Sequence, residues 1–140
     1  MATTTASVHA PGRARTLALL GAAFVVAGIA CSIDALAAVA AGATAFAPLT
    51  PAVYLPFVAV GVVVGFVGWR LVVRRSARSR TVLRALVPAV VLASLVPDIV
   101  LIATGFIPGT TAVGGVALML MHVIVAAVAV PVYSRILPTR

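Results

Sequence analysis

Four times between Thr16 and Ser134 the chain runs through long, predominantly apolar stretches, and nothing constrains its fold more than these runs. A helix rising ~1.5 Å per residue needs roughly 20 residues to cross a hydrocarbon layer of about 30 Å. Backbone groups inside that layer find no water, so each run must satisfy its own amides and carbonyls as a helix. The runs take residues of about 16–43, 54–73, 85–105 and 111–134, which leaves only tails and connections of the 140 residues. With 64% hydrophobic and 9% charged residues, the composition excludes a water-soluble core, and no separate soluble domain fits. The fold class is all-α, a four-helix transmembrane bundle, with residues 15–137 as its single domain.

The charges then set the topology. Every basic residue is an arginine. Arg13 and Arg15 precede the first run, Arg135 and Arg140 follow the last, and Arg70, Arg74, Arg75, Arg78, Arg80 and Arg84 lie in the connection at 70–84 between the second and third. The connections before Tyr54 and around Pro108 and Gly109 carry no charge. The positive-inside rule therefore predicts an up-down-up-down bundle in a bacterial cytoplasmic membrane, with both termini cytoplasmic. Residues 1–14, small and polar with His9 among them, read as a flexible cytoplasmic tail. The six central arginines act as topology determinants and contact anionic lipid headgroups at about 1 kcal/mol each. A net charge of +8 would point to nucleic acid in a soluble chain, but no recognition fold or stacking aromatics accompany it here.

Small residues mark where the helices approach one another. Gly61, Gly65 and Gly68 give the second span a smooth face, and Gly21, Gly28, Ala35 and Gly42 recur every seven residues on the first. Gly115 serves the fourth span in the same way. Such seams fit contacts within the bundle, with a second copy, or with another membrane protein. Pro48 and Pro51 end the first helix without any charge, Pro56 sits in the first turn of the second span, and Trp69 stands beside Arg70 as an interfacial aromatic. The lone Cys31 permits no intrachain disulfide. Gly28-Ile29-Ala30-Cys31 loosely matches a lipoprotein cleavage site, but Gly stands where Leu is usual and the apolar run continues past it, so packing is the favoured use.

Against this background Asp34, Asp98 and His122 stand out, being the only two acids in the chain and the only histidine outside the tail. Ionisable groups at membrane depth are expensive and need a reason. Ser94 and Asp98 lie one turn apart on the third span, and Pro97 between them removes an amide donor and should kink the helix. On the fourth span Gly115, Met119, His122, Ala126, Ala129 and Tyr133 share one stripe, predicted to face the bundle. At ~1.5 Å per residue, Asp98 lies about 6 Å and Asp34 about 9 Å outward from the span centres, with His122 near the midplane. The three can occupy neighbouring layers of a polar intramembrane cluster with Ser94, able to exchange protons near neutral pH. A purely structural use is equally concrete: Ser94 and a protonated Asp98 satisfy the backbone around Pro97, His122 bonds across helices, and Asp34 reaches the outer interface or a loop.

Other chemistries fit less well. Cys31, Asp34, Asp98 and His122 supply enough donors for a metal, but no ligand pair on one helix has a recognisable spacing, so no metal and no cofactor is predicted. Ser94, His122 and an aspartate can be drawn as a triad, but without a nucleophile elbow or an oxyanion-hole loop.

The Arg-rich centre, Leu92-Ala93-Ser94-Leu95-Val96-Pro97-Asp98, and the stretch from Leu118 through Met121-His122 to Ala127 and Pro131 carry a resemblance. Over residues 15–137 the chain resembles a family of small four-helix membrane proteins of actinobacteria with no assigned function. The resemblance implies the architecture and draws interest to Ser94, Pro97, Asp98 and His122, and it implies no activity. Three function classes follow. The first is a non-enzymatic protein that binds another membrane protein or itself, the second a small proton-coupled carrier or pore, and the third a lipid- or quinone-modifying enzyme. Inverted repeats, the usual carrier signature, are not evident between residues 15–73 and 82–137.

Overall fold

The computed structural model describes residues 12–140, and the N-terminal tail with His9 lies almost wholly outside them. Five α-helices follow in order: α1 (Arg13–Ala40), α2 (Pro51–Arg75), α3 (Ser79–Ser94), α4 (Val96–Thr104) and α5 (Ala112–Ile136). A short 3-10 turn, Ala47–Leu49, precedes α2. With α3 and α4 taken as one stretch, Ser79–Thr104, four helical segments are long and apolar enough to cross a membrane.

Between the second and third spans the helices run further than the apolar runs alone predict, whereas α1 stops at Ala40, short of its expected end. The expected connection at 70–84 is largely helical, with α2 continuing to Arg75 and α3 starting at Ser79. Arginine is a good helix former and carries its charge on a long stem, so a helix can pass from hydrocarbon into the headgroup layer without stopping. The opposite connections stop abruptly. Gly105 caps α4 in the left-handed conformation, and Gly109, at φ +79°, lies so close to the Ala45 carbonyl that a Cβ there would strike it. Thr111 caps α5 by accepting a hydrogen bond from the Gly114 amide at 3.0 Å.

Helix neighbours define the cross-section. α5 packs on all four other helices and most extensively on α1. α1 also packs on α2, and α2 on α3, whereas α1 has no substantial contact with α3 or α4. The section is thus a rhombus, with α2 and α5 meeting across its short diagonal. There Gly61 faces Val125, and Gly65 lies under the Tyr133 ring. Tyr133 Oη donates to the Val62 carbonyl at 2.6 Å, using a second lone pair of a helical acceptor. Gly28 receives Leu55, Gly114 receives Phe46 and Gly115 receives Ile102, whereas Gly21 and Gly68 face open space.

Polar side chains secure the corners. Ser32 Oγ donates to the Gly28 carbonyl at 2.7 Å. Its single hydrogen is thereby used, so the Tyr54 hydroxyl donates to Ser32 at 2.8 Å and ties α2 to α1. At the arginine-bearing end, Trp69 is buried among its neighbours and donates from Nε1 to the Leu137 carbonyl at 3.0 Å. The chain beyond α5 turns onto the start of α3, where the Arg80 amide bonds the Arg140 carbonyl at 3.0 Å. In return the Arg140 amide donates to Ser79 Oγ at 3.0 Å.

Candidate functional site

The break at Leu95 builds the site. Leu95 donates its amide to Leu92 at 3.2 Å, a tightened turn that leaves the Val91 carbonyl without its usual partner. Ser94 Oγ takes that carbonyl at 2.7 Å. Pro97 falls in the first turn of α4, where its missing amide costs nothing, and its ring faces outward. Asp98 is consequently a first-turn residue of a new helix and not a mid-helix one. Ser94 serves the break through the Val91 carbonyl, and Asp98 Oδ2 has no hydrogen-bond partner among the described residues.

Across the α4–α5 contact, Asp98 Oδ2 lies 3.2 Å from His122 Nδ1. The ring nitrogen has another partner, the Leu118 carbonyl one turn back on its own helix, at 2.9 Å. A carbonyl can only accept, so Nδ1 carries the hydrogen and aims it along α5. Asp98 Oδ2 is therefore close to the imidazole without an aligned hydrogen bond, and it is buried with no other partner among the described residues. The pair is also asymmetric in exposure, with the Asp98 side chain 9% accessible and that of His122 40%. One member is sealed in the helix contact, and the other opens on the surface that hydrocarbon would cover.

Asp34 stands apart from this pair. It is half-buried on α1, and its Oδ2 also lacks a hydrogen-bond partner among the described residues. Because α1 and α3/α4 occupy the long diagonal of the rhombus, no described hydrogen bond or ion pair joins Asp34 to Asp98 or His122. No three His, Cys, Asp or Glu side chains converge as metal ligands among the described residues. On α5, Gly115, Ala129 and Tyr133 are buried, whereas Met119, His122 and Ala126 are half-buried at its edge. The hydrogen bonds of Tyr54 to Ser32 and of Tyr133 to Val62 were not anticipated, although polar atoms inside apolar runs are the signal that marks them.

Four apolar helices carrying a sealed carboxylate against a half-open imidazole define a multi-pass membrane protein. Comparison with known families then places it further. Residues 10–139 match the model of a family of unknown function, DUF6069, and the chain belongs to that family. No curated protein and no solved structure shows significant similarity to it.

Proposed function

We propose that the chain is a non-enzymatic protein of the bacterial cytoplasmic membrane, with both termini cytoplasmic, that acts by binding a second copy of itself or another membrane protein. The orientation rests on the arginines, all of which flank the ends of the runs that the positive-inside rule assigns to the cytoplasm. Binding rests on one observation, the half-exposed His122 beside the sealed Asp98. An imidazole left against hydrocarbon is costly, and a partner helix that bonds its Nε2 removes that cost.

Energy transfer between two labelled copies in vesicles tests the reading. Changing His122→Leu or Asp98→Asn is expected to weaken association by about 0.6–2 kcal/mol, roughly three- to thirtyfold. If the wild type stays monomeric and a photo-crosslinker at position 122 captures no other membrane protein, the reading fails.

A second reading, a small proton-coupled carrier, is favoured by the unpartnered Asp98 Oδ2 at 3.2 Å from a rotatable imidazole. It expects pH-dependent flux in proteoliposomes that disappears in Asp98→Asn and His122→Ala. Flux surviving both changes would count against it.

A further inference from the structure

At the arginine-bearing end, α2, α3, α5 and the chain after it line an open groove of about 290 Å³. Its walls include Trp69, Leu83, Val87 and Val130, with Arg80 and Arg84 among the lining residues. The two arginines are four residues apart on α3, hence on one helix face. We propose that this groove binds one anionic glycerophospholipid, its phosphate held between Arg80 and Arg84 and an acyl chain laid against Trp69 and the aliphatic wall.

Charge carries the assignment. The only acids in the whole chain are Asp34 and Asp98, and no arginine forms an ion pair among the described residues. Arg80 and Arg84, both exposed, are therefore free to take an external anion, and a guanidinium pair suits the oxygens of a phosphodiester. The Arg80 amide is already taken by a main-chain oxygen of Arg140 at 3.0 Å, which leaves the guanidinium groups as the anion donors. Arg74 and Arg75, in the last turn of α2, do not line the groove, so the six central arginines are not equivalent. An occupant must also be amphipathic, since the groove joins two charges to an apolar wall at the depth where headgroup meets hydrocarbon. An anionic phospholipid meets both demands, and the site is independent of the Asp98–His122 pair.

Trp69 is the single tryptophan of the chain, so its fluorescence reports on this groove alone. Full-length protein in vesicles is titrated with phosphatidylglycerol or phosphatidylcholine brominated on the acyl chain. The anionic lipid is expected to reach half-maximal quenching at about fivefold lower mole fraction or less. R80Q/R84Q should bring the two curves together, whereas R74Q/R75Q, which removes the same charge, should leave the preference intact. Equal quenching by both lipids in the wild type, or equal loss in the two double variants, would overturn the proposal. Inorganic phosphate at constant ionic strength should not displace the lipid; displacement would overturn it in favour of a free-anion site. Should R80Q/R84Q fail to fold, R84Q alone is read in its place, with a partial loss of preference expected and no loss overturning the assignment.

Discussion

Gly65→Ala is expected to cost about 2–4 kcal/mol of stability, although it adds a single methyl group and improves helix propensity. The new Cβ would lie 2.7 Å from Tyr133 Oη, an atom already fixed by its 2.6 Å bond to the Val62 carbonyl. Tyr133 can yield only by surrendering that bond, and its ring packs against Phe66 and Trp69, with centroids 5.8 and 6.0 Å away. The short diagonal of the bundle must then open. Unfolding followed through Trp69 emission in detergent measures the loss. Tyr133→Phe removes the clashing oxygen, so the double variant should be more stable than the two single costs predict, by about 1 kcal/mol or more. Gly68→Ala, whose Cβ meets nothing within 4 Å, should be neutral or slightly stabilising. Additive costs for Gly65→Ala and Tyr133→Phe would remove the oxygen contact as the cause.

The spans were legible in the sequence because the bilayer imposes a length and the prolines and glycines punctuate it. What lay beyond reach was which spans are neighbours. Counting rise along each helix placed Asp34, Asp98 and His122 at similar depths, but depth says nothing about the corner of a bundle at which each side chain stands. The rhombic section puts α1 and α4 at opposite corners, and Asp34 is left without a described bond to the other two. The central position of α5 was hidden for a related reason. The exposed positions of α5, among them Val113, Val116, Leu120 and Val123, are as apolar as its buried ones, so no polar side marks which face turns to its neighbours. Gly61, Gly65 and Gly68 look alike in sequence, yet one meets Val125, one meets Tyr133 and one faces open space. Only the partner helix distinguishes them. The same holds for Ser94, whose bond to Val91 depends on a break two residues upstream of Pro97.

Gly115→Val is expected to separate Asp98 from His122 without altering either residue, at a stability cost of about 1–3 kcal/mol. Any Cβ at position 115 would collide with the Ile102 side chain, and Ile102 lies one turn beyond Asp98 on α4. His122 lies seven residues beyond Gly115 on α5, so the glycine contact and the carboxylate–imidazole contact belong to one helix interface. Nine-residue α4 is joined to α3 through the break at Leu95, and it yields more readily than α5, which is packed on every helix. The enlarged side chain should therefore tilt α4 outward and lengthen the 3.2 Å approach. With only two histidines in the chain, nitrogen NMR of labelled imidazole reads His122 directly. Its Nδ1 resonance in Gly115→Val should move toward that of Asp98→Asn. Ile102→Ala removes the obstructing carbons, so Gly115→Val with Ile102→Ala exchanges large for small across the interface and should return the resonance toward the wild type. A His122 signal unmoved by Gly115→Val would mean that the pair is positioned by something other than this close approach.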